Sequence, residues 1–140
     1  MAMVYLGSKG ETSKQMYRTL KIDNILEVIH ETFEEYIKLI NAENANFTLT
    51  TANRLYPCIR YEILDEYITT CFKHYNTDVV PADYVEKASD VRNEINSWVE
   101  KETKGKIKNL IPPRILDPRT VLVVVNAIYF KGDWATKFQP

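Results

Sequence analysis

His30-Glu31-Thr32-Phe33-Glu34 has the outline of a zinc-binding helix. In such a helix, histidines at i and i+4 hold the metal and the glutamate between them acts as general base. Glu34 stands where the second histidine is needed, and the only other histidine, His74, falls in a different helical segment. No metal site is therefore expected. Ser89-Asp90 opens a helical stretch and reads as a cap rather than a nucleophile with its acid. The sequence holds no glycine-rich phosphate loop and no nucleophile elbow, so neither a cofactor nor an enzymatic activity is expected. Other residues stand out for their setting. Asn126 interrupts an apolar run, and an amide buried there without partners costs about 1–3 kcal/mol. It either bonds into a network or fixes strand register. Thr120 and Trp134 bracket the same segment, and Gly132 permits a sharp exit from it. Asn46-Phe47-Thr48 is a glycosylation acceptor sequence, used only in a secreted protein.

The elements that must position these residues follow from period and punctuation. Ala2–Leu6 reads as the end of a helix stopped by Gly7 in the left-handed cap conformation. Thr12 or Ser13 caps the next helix, whose Met16 and Leu20 share a face. Ile25–Ala42 carries the strongest helical stripe: Ile25, Val28, Ile29, Phe33, Tyr36, Ile37 and Ile40. Phe47–Leu55 alternates as a strand, and Tyr56-Pro57 ends it. Helical spacing returns over Ile59–Tyr75, a short extended piece covers Asp78–Pro81, and a further helix runs over Ala88–Thr103 until Gly105. Cys58 and Cys71 lie too far apart along this plan for the ~7 Å Cα separation a disulfide tolerates, so two thiols are expected.

Composition bounds the class. The chain has 140 residues, 45% hydrophobic and 26% charged, which fits one globular domain. Its 18 basic and 19 acidic residues give a net charge of −1, without the basic excess that nucleic acid or an anionic membrane requires. No apolar run reaches the roughly 20 residues of a membrane span. The first residues lack the basic leader of a signal peptide, although a start internal to a longer chain would hide one.

Thr120–Trp134 is the physical anomaly. Val121–Phe130 is β-branched and aromatic, uncharged and free of proline. Such a strand is expected mid-sheet, with both faces covered and neighbours on both edges, because exposed it would template aggregation. The sequence supplies too few other strands to cover it.

Asn126-Ala-Ile-Tyr-Phe-Lys-Gly-Asp-Trp134 resembles the serpin signature in the third strand of the large sheet, sheet A. Ile95-Asn-Ser-Trp-Val-Glu-Lys-Glu-Thr-Lys-Gly-Lys-Ile107 is similar to helix F and its exit. Ala52-Asn-Arg-Leu-Tyr56 resembles the end of the second strand of sheet A, and Met3-Val-Tyr-Leu-Gly7 the end of helix B. The motifs keep the family's order and spacing over essentially the whole chain. The resemblance implies an α+β, partial serpin fold in which helices C, D, E and F pack on strands of sheet A. It also implies that helix A, sheets B and C, the remaining strands of sheet A and the reactive-centre loop lie outside residues 1–140.

The implied activity of the full-length parent is suicide inhibition of a serine protease, or of a cysteine protease, by insertion of the cleaved loop beside the third strand. The chain alone is expected to be inactive. The resemblance places Asn126 in the shutter that gates sheet opening and Trp134 in the breach where insertion begins, with Thr120, Asn126 and Trp134 along the strand that meets the loop. Glu27, Glu31, Glu34 and Glu35 on the helix D counterpart argue against heparin binding there. The parent is expected to be secreted, with a cytoplasmic setting as the alternative. A non-inhibitory parent (carrier, chaperone or storage protein) and a short interaction module self-associating through its sheet edge are the competing readings.

Overall fold

A computed structural model describes residues 1–22, 28–42, 47–132 and 134. Its elements run α1 (Ala2–Gly7), α2 (Gly10–Leu20), α3 (Ile29–Ile40), β1 (Phe47–Pro57), α4 (Asp65–Tyr75), β2 (Thr77–Val79), α5 (Ala88–Glu102) and β3 (Leu122–Gly132). The strands form one sheet in the order β2-β1-β3. β1 pairs parallel with β2, from Asn53 opposite Thr77 to Leu55 opposite Val79. It pairs antiparallel with β3 along its whole length, from Phe47 opposite Gly132 to Pro57 opposite Leu122. The parallel pair needs a crossover, and α4 supplies it.

The core lies between the sheet and α5. Val91, Ile95 and Val99 recur at intervals of four on α5 and are buried with Tyr56, Tyr84, Val125 and Ala127. The Tyr84 hydroxyl donates to the Tyr56 carbonyl at 2.6 Å, which satisfies a phenol inside this apolar cluster. Burial raises the Tyr84 pKa well above the usual tyrosine value. α5 ends where Lys104 and Gly105 both take left-handed backbone angles, φ 52° and 76°. The Gly105 N–H returns to the Glu100 carbonyl.

Several boundaries differ from those expected. Gly7 is helical, and what it provides is room: a Cβ there would stand 3.1 Å from the Tyr67 ring of α4. α2 starts at Gly10 behind Lys9, so Thr12 and Ser13 lie in its first turn and do not cap it. Ser89 and Asp90 likewise sit inside α5, whose N-cap is Lys87. β1 runs on through Tyr56 and Pro57. α4 begins only at Asp65, with Asp65 and Glu66 favourably placed at its positive end. Ile59, where helical spacing was expected to begin, and Leu64, counted toward the apolar stripe, are exposed in the connection before it. The expected start of α3 at Ile25 lies outside the described residues. Cys58 and Cys71 are both buried thiols.

Candidate functional site

β3 alternates more cleanly than its composition suggests. Val125 and Ala127 are buried toward α5, whereas Leu122, Val124, Asn126, Ile128 and Phe130 are exposed on the opposite face. Ile128 is 57% and Phe130 65% accessible. The strand is also terminal in its sheet: among the described residues only β1 pairs with it. The expected central position with both faces covered is thus not what the described residues provide. Among them, one face and one edge are covered. The result is a row of backbone donors and acceptors flanked by apolar side chains, the arrangement that accepts an added strand.

Asn126 sits at the middle of that exposed face. Its Nδ2 donates to Oδ1 of Asn53, directly opposite on β1, at 2.6 Å. The amide was expected to be buried, with partners outside the chain; it is exposed and has an internal one. Asn53 was missed in the sequence, although two amides interrupting two apolar strands are a signal that register pairing makes legible. Thr120 is not on the strand. It closes the Asp117-Pro118-Arg119-Thr120 turn, donating its N–H to the Asp117 carbonyl at 2.9 Å and accepting the Asp117 N–H on its hydroxyl at 3.1 Å. The Arg119 side chain and backbone N–H hold the Asp117 carboxyl below its ordinary range. Trp134 lies just beyond the end of β3 and is exposed. Of Thr120, Asn126 and Trp134, only Asn126 belongs to the strand itself. Asn46 lies outside the described residues. At Gly132 a Cβ would come within 2.9 Å of the Phe130 ring, so the absent side chain leaves space that the ring uses.

The segment that leads from α5 to β3 is tied down from both ends. Asn96, buried on α5, accepts the Ile111 N–H at 2.8 Å and donates to the Ile111 carbonyl at 3.0 Å. Thr103 accepts the Ile107 N–H at 3.1 Å. Lys104 then lies 5.2 Å from the centre of the Tyr129 ring of β3. On β1, Arg54 stacks 4.5 Å from the Trp98 ring centre and pairs with Asp78 of β2 at 2.7 Å. None of these contacts was foreseen from the sequence.

Among the described residues no group of three or more histidines, cysteines or acids is placed to hold a metal. Nor is any described helix long and apolar enough to cross a membrane. What the arrangement offers is an edge for strand pairing.

The family model for serpins, serine protease inhibitors, matches residues 1–140, and the chain belongs to that family. It is 42% identical over 138 residues to leukocyte elastase inhibitor A of Rattus norvegicus, covering 99% of this chain and 36% of that protein. Among solved structures, emu (Dromaius novaehollandiae) ovalbumin superposes with a TM-score of 0.90 at 33% identity, covering 99% of this chain and 39% of that one. Human thyroxine-binding globulin complexed with its hormone superposes with a TM-score of 0.86 at 31% identity, covering 99% and 37%. The chain therefore spans little more than a third of the length of these relatives. The mixed helices and three-stranded sheet are an α+β, partial serpin fold.

Proposed function

We propose that residues 1–140 are the strand-accepting part of a serpin that inhibits a serine protease by loop insertion. The observation that carries this reading is the open edge of β3, eleven residues long and paired on one side only. In this reading the protease serine attacks the scissile carbonyl of a reactive loop outside residues 1–140. The new amino terminus leaves, and the acylated loop adds to β3 as a strand, dragging the protease with it. Asn126, held by Asn53 of β1, is the shutter amide on the strand beside which the sheet opens. Trp134, at the end of β3, marks the breach where pairing starts.

The resemblance to an elastase inhibitor supports a serine protease as the partner; a cysteine protease is the narrower alternative. The acidic residues of α3, Glu31, Glu34 and Glu35, argue against a heparin site on that helix. The expected secretion gains no support from the relatives, and two buried thiols are compatible with the cytoplasmic alternative.

A second reading, a non-inhibitory carrier, is favoured by the likeness to a hormone-binding globulin. It also draws on a groove of about 400 Å³ lined by Leu6, Leu55, Pro57, Leu64, Tyr67 and Leu122. The two readings diverge at the loop hinge, which must be built of small residues to insert.

The test is strand addition. A synthetic peptide of small residues, able to extend as a loop hinge does, is expected to protect the β3 amides of the chain from hydrogen exchange. Without it the chain is expected to form no detergent-stable complex with any serine protease. Unprotected β3 amides at saturating peptide, or a covalent complex with the chain alone, would remove the proposal.

A further inference from the structure

α3 is fastened at both ends by polar contacts. At its C-terminal end, Asn41 Oδ1 accepts the backbone N–H of Thr51 on β1 at 2.8 Å. At its N-terminal end the contact is to α4: the Tyr75 hydroxyl lies 2.6 Å from Nδ1 of His30. One turn on, Glu34 Oε2 lies 3.0 Å from Nδ1 of His74, also on α4. Both histidines of the chain thus face each other across one helix pair, with ring centres 6.1 Å apart. His74 is 7% exposed, and the Tyr5 ring of α1 stacks on His30 from the far side.

We propose that the His30–Tyr75 contact is an acid-weakened latch, which holds the N-terminal end of α3 against α4 at neutral pH and loosens it in mild acid, while Glu34 keeps its contact with His74. In the neutral tautomer with a bare Nδ1, His30 accepts the phenol proton of Tyr75. Protonation converts that nitrogen into a donor, so the contact survives only if the Tyr75 phenol turns its own proton away and accepts instead. It also places a cation close to a second imidazole, with ring centres 6.1 Å apart.

The groups facing His30 can be counted by element. On α4 these are His74 and Tyr75, and on α1 Tyr5. On its own helix they are Glu31 and Glu34, with Lys38 occupying the second oxygen of Glu34. Lys38's hydrogen bond, working against some desolvation and helped by His74, keeps Glu34 below the ordinary carboxylate value, so it stays charged as His30 titrates. Tyr75 is pushed well above its ordinary value by burial and stays a donor. Burial, and then the charge of His74, lower the His30 pKa, while Glu31 opposes them in part. The sign follows: the docked helix prefers the neutral ring. The contribution of His30 is therefore complete above the free-histidine value near 6.5 and is lost as pH falls below it toward the lowered value of the docked ring. Loosened at this end, α3 keeps Asn41 as its tie to β1, so acid loosens the helix next to the sheet without acting on the sheet itself. The latch does not depend on the inhibitor reading.

Hydrogen exchange on the chain at about pH 7.5 and about pH 5.5, corrected for intrinsic rates, tests it with α5 as internal reference. α3 amides are expected to lose about tenfold of their protection relative to α5 on acidification, and His30→Asn, which keeps an acceptor but cannot titrate, is expected to abolish the loss. Unchanged α3 protection in the parent chain, or the same loss in the variant, overturns the proposal. Should His30→Asn fail to fold, the parent chain decides alone. The α3 amide shifts must then follow the His30 ring titration with one midpoint, and two separate midpoints overturn the latch.

Discussion

The two faces of β3 have opposite fates. Toward α5, Val125 and Ala127 are buried against Val91, Ile95 and Val99, and the returning segment is clasped by Asn96. On the other face Leu122, Val124, Ile128 and Phe130 meet no comparable cover among the described residues. One strand is thus covered on one side and bare on the other. The apolar run that looked uniform in sequence divides by alternation: packing at Val125 and Ala127, exposure at the even positions.

Substitutions can break that contrast. Ile95→Ala removes a fully buried side chain from the covered face and is expected to cost about 2–5 kcal/mol, read as a lower urea midpoint at unchanged slope. A loss below 1 kcal/mol would mean the α5 face is not a packed core. On the bare face, Ile128→Lys is expected to leave unfolding within about 0.5 kcal/mol of the parent chain. It should weaken self-association through the open edge by about tenfold or more, measured by sedimentation velocity. Unchanged association would place the sticky surface elsewhere. The smallest effect belongs to the amide pair: Asn126→Ala, which removes an exposed hydrogen bond to Asn53, is expected to cost about 0.5–1 kcal/mol by the same urea titration. A cost as large as that of Ile95→Ala would show Asn126 to be structural rather than a gate.

What could be read in advance was what depends on local pattern. The stripe of α5, its stop at Gly105 and the β-branched run of β3 are each set by neighbours three or four residues away, or by a single backbone angle. What escaped depends on distant chain. The freedom of Gly7 was taken as conformational, but the space is claimed by Tyr67, far along the sequence. Ile59 and Ile63 have helical spacing, yet the helix begins only after them, at Asp65, and Ile59 is left exposed. Thr120 looked like part of the strand until the Asp-Pro turn claimed its hydroxyl. The open edge was half legible: the sequence shows a strand demanding cover, and register alone shows which residues lack it and that Asn53 answers Asn126.

The sheet also fixes an order of assembly. Arg54 of β1 reaches Asp78 of β2 across 24 positions, with α4 folded between them, whereas Asn53 reaches Asn126 across 73. By loop-closure entropy the second join costs about 1 kcal/mol more than the first. A chain leaving the ribosome therefore holds its parallel pair before its most adhesive segment has been made, so that segment is born beside a waiting template.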